Sequence, residues 1–253
     1  MKTPQRFLAG LTLALFASLV SGSLLAEKLR IATEGAYAPF NFVDSSGNLQ
    51  GFDVDIAKAL CAEMGVECEL VSQDWDGIIP GLRARRYDAI IASMSITPER
   101  ARVVAFTEPY YSNVLAFIGP KGQEMATDAE SLKGKTLGAQ RATIAGQYLE
   151  DELGRHVNVR LYDTQDNAYL DLASGRLDGM VSDKFPAYDW LQTDAGANFE
   201  FKGEDIDIDD KIAIAVRRND QELKERFNQA IQAIVDSGVY AEINEKYFPF
   251  SIY

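Results

Sequence analysis

The chain has 253 residues, 47% of them hydrophobic, and carries 38 Asp+Glu against 25 Lys+Arg for a formal net charge of −13. That is enough apolar material for the cores of two lobes of ordinary size. The acidic balance argues against nucleic acid or an anionic membrane as partner and favours small cationic molecules at long range. With one histidine, His156, and two cysteines, the chain lacks the usual zinc spacings and the makings of a Ser-His-Asp triad.

Lys2 and Arg6 precede an apolar run over residues 7–20 and a small-residue region ending near Ala26. Residues 1–26 therefore read as a secretory signal peptide. The run is short for a membrane span, which needs about 20 residues, and no Cys follows it to take a lipid anchor. Loss of Lys2 and Arg6 leaves 23 of the 25 Lys+Arg against 38 Asp+Glu, so the exported chain carries −15. In an exported chain the close pair Cys61 and Cys68 reads as a disulfide between a helix end and a strand start.

From residue 29 the pattern alternates. Residues 29–33 are strand-like, 52–64 have apolar positions at helical spacing, 69–72 form a strand, 78–86 a helix and 89–92 a strand. This βαβαβ order predicts a parallel sheet. A β-rich segment at 114–119 leads through Gly-Pro-Lys-Gly into a second series: strand 136–139, helix 144–153, strand 157–162, helix 167–174 and strand 179–182. The tail reads as a strand at 212–217 and two helices over 222–247, broken near Gly238. Residues 86–93 (RYDAIIAS) align without a gap on 176–183 (RLDGMVSD), which puts Ser93 and Asp183 in equivalent places, one per unit.

The stretch 88–100 (DAIIASMSITPER) carries the clearest chemistry. An apolar strand gives way to Ser93 and Ser95, then Thr97-Pro98 begins a helix. Arg100 falls in its first turn, where the macrodipole disfavours a cation by about 0.3–1 kcal/mol. A bound anion at the strand end offsets that cost; the alternative is a surface arginine paired with Glu99 or another carboxylate. If the two units face each other, Arg100 and Ser95 oppose Asp183, an arrangement suited to a zwitterion such as an amino acid.

Residues 32–40 (ATEGAYAPF), 51–57 (GFDVDIA), 74–80 (DWDGIIP), 93–100 (SMSITPER) and 106–111 (FTEPYY) resemble the family 3 periplasmic solute-binding proteins of ABC transporters, in particular the lysine/arginine/ornithine/histidine binders. The resemblance covers nearly all of the exported chain. It implies an α/β type II periplasmic binding protein: two Rossmann-like lobes, 27–112 with 213–253 and 113–212, joined by a hinge of two crossover segments. It also implies a monomer, no cofactor, and two partners, a basic amino acid and an ABC permease in the inner membrane.

Residue by residue, the resemblance implies that Arg100 clamps the ligand α-carboxylate with the backbone amides of Ser95 and Thr143. The Ser93 carbonyl, Ser95 hydroxyl and Asp183 carboxylate hold the α-ammonium, and Tyr37 and Trp75 sandwich the side chain. Glu34 meets a distal ammonium or guanidinium. There are departures: Ala92 stands for a common serine, Gln140 for an apolar ligand contact, and Ile144-Ala145 follow Thr143. Residues 201–216 are short and lack the usual Gly-rich hairpin. Gln140 and that short segment suggest an opine or other arginine derivative as an alternative ligand. A periplasmic cyclohexadienyl or arogenate dehydratase on the same fold, with Glu34 or Asp183 as general acid, is the catalytic alternative.

Two acidic motifs point elsewhere. Residues 205–210 (DIDIDD) begin like a calcium loop, but Asp210 and Val216 stand where Gly and Glu belong, so a solvated acidic connection is expected. Asp53 and Asp55, two apart on a helix, cannot converge on a metal and are expected to complement the helix dipole.

Overall fold

The computed structural model describes residues 28–253; the expected signal peptide lies outside the described residues. Strand β1 (Lys28–Thr33) is followed by a small antiparallel sheet of β2 (Ala36–Tyr37), β3 (Asn41–Val43) and β4 (Leu49–Gln50). Helix α1 (Phe52–Glu63), β5 (Glu67–Ser72), α2 (Trp75–Arg83), β6 (Ala89–Ile90) and the short α3 (Pro98–Ala101) complete the first series. The long strand β7 (Val104–Pro120) crosses to the second: β8 (Thr136–Gln140), α4 (Ile144–Tyr148) running into a π-helical turn at Leu149–Leu153, β9 (Asn158–Tyr162), α5 (Gln165–Ala173), β10 (Gly179–Asp183) and α6 (Lys184–Leu191). Strand β11 (Phe199–Arg217) returns, and α7 (Gln221–Asp236) and α8 (Val239–Tyr247) end the fold.

The main sheet has the order β5-β1-β6-β11-β7-β10-β8-β9. β1 runs parallel to β5 and β6, and β8 parallel to β9 and β10. The antiparallel pair β7 and β11 lies between these two parallel sets. Helices cover the strands through apolar stripes at helical spacing, such as Leu223, Phe227, Ala230, Ile231 and Ile234 of α7. Two hydrophobic clusters, around Phe52 and around Ile90, flank the first set together with the tail. Two more, around Phe117 and around Met180, flank the second. This is the two-lobed architecture with two crossover strands that the family likeness implied.

The echo between 86–93 and 176–183 has a structural counterpart. Asp88 accepts a hydrogen bond from the Arg30 amide through Oδ2 (3.1 Å), and Asp178 accepts one from the Thr136 amide in the same way (2.7 Å). Each turn aspartate thus pins the start of its central strand to the neighbouring parallel strand. β6 and β10 each lie between a parallel neighbour and one of the crossover strands.

Three features depart from the sequence reading. β7 begins at Val104 and not near 114, and β11 begins at Phe199 and not near 212, because cross-strand backbone pairing sustains them where side-chain alternation is broken by register shifts. Helix α6 (Lys184–Leu191), directly after Asp183, was not anticipated. The acidic side chains of the segment are exposed through Asp209, but Asp210 is 3% exposed and is no part of a solvated connection.

Cys61 of α1 and Cys68 of β5 form the expected disulfide. Closing so short a loop constrains the unfolded chain only modestly, by about 2–2.5 kcal/mol in the chain-entropy picture. Cys61→Ser with Cys68→Ser should lower the unfolding free energy by roughly that amount in urea titration and leave ligand affinity unchanged.

Candidate functional site

All nine residues expected at the site line one small cavity: Glu34, Tyr37, Trp75, Ser93, Ser95, Arg100, Gln140, Thr143 and Asp183, joined by Ala92 and Ile144. They lie at the carboxyl ends of strands. Glu34 follows β1, Ser93 and Ser95 follow β6, Gln140 ends β8 and Asp183 ends β10, where open α/β sheets place ligands.

The first wall is shaped by local chemistry. Thr97 caps α3 by accepting the Arg100 amide at 3.1 Å, with Pro98 at the first helical position. The Arg100 guanidinium donates from Nη1 to the Ser95 carbonyl (2.9 Å) and from Nη2 to the Ala142 carbonyl across the cleft (2.8 Å), and sits 5.3 Å from the Trp75 ring centroid. Its partners are thus carbonyls and an aromatic face, and burial holds its pKa below the usual value. Ser93 adopts φ +50°, a left-handed conformation rare outside glycine and typical of functional turns.

Asp53 holds that turn. It is 1% exposed and accepts from Tyr110 Oη (2.6 Å), Asn41 Nδ2 (2.9 Å) and Ser93 Oγ (2.9 Å), while Asn41 Oδ1 accepts the Gly35 amide beside Glu34. Burial pushes its carboxyl up to about 6 against the pull of these donors. The dipole role expected for the pair describes only Asp55, which bonds Lys246 and Tyr247 near the surface. Asp53 is instead a buried support for both the Glu34 and the Ser93 turns.

The second wall repeats the device. Thr143 caps α4, accepting the Gly146 amide (3.1 Å) and donating to the Gln140 carbonyl (2.7 Å), and Ala142 before it has φ +55°. The walls meet through Gln140 Nε2 to Glu34 Oε1 (2.7 Å), Tyr37 Oη to Asp183 Oδ2 (2.5 Å) and Trp75 Nε1 to the Ala142 carbonyl (3.1 Å). Arg141 adds an ion pair to Asp76 at 3.5 Å.

Two carboxyls are strained electrostatically by this closure. Glu34, 7% exposed, is pushed up to about 7, chiefly by burial, with Asp166, Asp74 and Asp76 acting in the same direction. Asp183 is raised by burial and by neighbouring Asp210. Asp210 accepts from Asn113 Nδ2 (3.0 Å) and Ser95 Oγ (3.3 Å). Ala142 and Asp210 escaped the sequence reading: an alanine announces nothing, and the aspartate was hidden in an acidic run.

A cleft between two α/β lobes, lined from both sides by opposed charges, defines a solute-binding protein. The chain belongs to the bacterial extracellular solute-binding proteins, family 3, whose model matches residues 29–250. It is 42% identical over 233 residues to the L-arginine-binding protein of Pseudomonas aeruginosa, covering 90% of each chain. It is 35% identical to the lysine/arginine/ornithine-binding periplasmic protein of Escherichia coli, covering 96% of each. Among solved structures it resembles a Salmonella typhimurium periplasmic binding protein of high arginine specificity, with TM-score 0.82 and 33% identity, over 88% of this chain and 100% of that one.

Removing the Asp53 carboxylate leaves three buried donors without their partner, at about 1–3 kcal/mol each before relaxation. Asp53→Ala should therefore lower stability by at least about 3 kcal/mol, whereas Asp55→Ala should cost about 1 kcal/mol or less, as exposed ion pairs do. Urea unfolding of the two variants side by side measures the contrast.

Proposed function

We propose that the protein is the periplasmic substrate-binding component of an amino-acid ABC transporter, taking one basic L-amino acid (arginine, ornithine or lysine) and delivering it to an inner-membrane permease. The observation that carries this reading is the convergence of Arg100, Asp183 and Glu34 on one cavity. Arg100 with the Ser95 and Thr143 amides receives the α-carboxylate. Asp183, the Ser95 hydroxyl and the Ser93 carbonyl receive the α-ammonium. Tyr37 and Trp75 flank the aliphatic stem, Glu34 takes the distal cation, and Gln140 closes the cavity against Glu34. The protein works as an exported monomer, its signal peptide being residues 1–26. Lobe one comprises 27–112 and 213–253, and lobe two 113–212, so the crossovers act as the hinge.

Calorimetry on refolded, ligand-stripped protein against a panel of amino acids, octopine and nopaline is the direct test. Heat is expected with a cationic amino acid; a response to an opine alone would reassign the ligand. Arg100→Met should abolish binding of every α-amino acid, and unchanged affinity would remove the carboxylate assignment. Glu34→Gln should weaken cationic ligands by roughly tenfold or more, the value of a charge-assisted hydrogen bond in a dry site, and leave neutral ones unaffected.

Closure also has a proton linkage. A carboxyl raised from its ordinary 4.5 to about 7 stabilises the shut cleft in its protonated form. That contribution is fully present below pH 4.5 and is lost as the pH rises through about 7, a difference of about 3 kcal/mol. Stripped protein should thus be more compact at pH 5 than at pH 8 by small-angle X-ray scattering. A cationic ligand should remove the dependence, and Glu34→Gln should flatten it.

The raised carboxyls of Glu34 and Asp183 are what favours catalysis, since a protonated carboxyl in the cleft has the makings of a general acid. Incubation with prephenate and arogenate decides: no aromatic product is expected, and its appearance would make the protein a dehydratase.

A further inference from the structure

Asp210 lies on β11 in register with Asn113 of β7, at the middle of the two crossover strands and outside the cavity lining. Main-chain pairing locks it beneath Ser95: the Ile96 amide donates to the Lys211 carbonyl (2.8 Å), and Ser95 bridges Ile212. The Ser95 hydroxyl, the only proton that side chain has to give, is directed to Asp210 Oδ2. A hydroxyl whose proton is committed can only accept at its other face, and an ammonium can only donate. Ser95 is itself part of the cavity lining. The buried carboxylate behind it therefore decides the polarity that the hydroxyl shows the ligand. Asp210 Oδ1 and Asn113 Oδ1 are buried without a partner, so this arrangement is not one that fold stability alone would select.

We propose that Asp210 is a positioning residue of the ammonium site, acting from the hinge through Ser95 by fixing that hydroxyl as a hydrogen-bond acceptor toward the ligand α-ammonium. The inference rests on the amino-acid-binding reading above. It adds a residue whose effect should depend on the ligand having an α-ammonium at all, and it ties that subsite to one of the two crossover strands.

The test is titration calorimetry of the full-length exported protein with arginine, and competition binding with deaminoarginine, in which hydrogen replaces the α-ammonium. Asp210→Leu, which cannot accept from Ser95, should weaken arginine by roughly 10- to 100-fold, the range for a hydrogen bond to a charged group, and change deaminoarginine by less than about twofold. Asp210→Asn keeps an acceptor oxygen and should retain arginine affinity within about threefold, with an unchanged urea midpoint. Ser95→Ala should show the same discrimination between the two ligands, which carries the test even if the leucine variant fails to fold. Equal losses for both ligands, or an asparagine variant as weak as the leucine one, would overturn the proposal. Failure of the parent protein to bind any basic amino acid would instead overturn the functional reading, and the proposal with it.

Discussion

Strands β7 and β11 pair from Val104 with Arg217 at one end to Pro120 with Phe199 at the other, and the charged groups of the cleft take their places from that ladder. β6, which leads to Ser93, Ser95 and Arg100, hydrogen-bonds to β11; β10, which ends in Asp183, hydrogen-bonds to β7. Each wall is thus attached to one member of the central pair. The register shifts in β11 concentrate the irregularity in the crossover region, where a strand can bend at least cost to its ladder.

On this frame the cleft holds more negative than positive charge. Glu34 and Asp183 line it, Asp210 stands behind, and Arg100 is the cation among them. Each of these groups is shifted by burial toward its neutral form. Shutting the cleft on itself is thus opposed at neutral pH by desolvation of carboxylates that have hydroxyl and amide donors but too little positive charge nearby. On the proposed reading a ligand with a net positive charge relieves that opposition, and its differential interaction with the shut form biases the lobes toward closure. The direct contacts Gln140 to Glu34 and Tyr37 to Asp183 are neutral-to-charged hydrogen bonds, which satisfy geometry without balancing charge.

Much of this was legible in the sequence because it depends on local pattern. Strand-helix alternation, the turn aspartates Asp88 and Asp178, the Thr97-Pro98 helix start and the cysteine pair all act within a few residues or repeat between units. The motif likeness carried the rest of the cavity lining. What could not be read were features set by contacts distant in the chain. Asp53 looks like a helix-dipole carboxylate until Asn41, Ser93 and Tyr110 are folded around it. Asp210 looks like one more acid in an exposed run until β11 pairs with β7 and turns it inward. The long crossover strands escaped for the same reason: their stability comes from backbone pairing with each other, and within 204–209 only Ile206 is partly buried.

The two hidden aspartates share a logic. Ser93 gives its proton to Asp53 and Ser95 gives its proton to Asp210, so both hydroxyls of the first wall are tied to buried carboxylates. The Arg100 guanidinium a few residues on is donor only. On the proposed amino-acid-binding reading, the Ser93 and Ser95 acceptors and the Arg100 donors give the first wall a polarity that a zwitterion matches in one orientation. The side chain must then leave in the remaining direction, toward Tyr37, Trp75 and Glu34. On that reading Asp53 and Asp210 help orient the ligand from behind the residues that touch it, and the identity of the side chain is left to the far end of the cavity, where Gln140 and Glu34 meet.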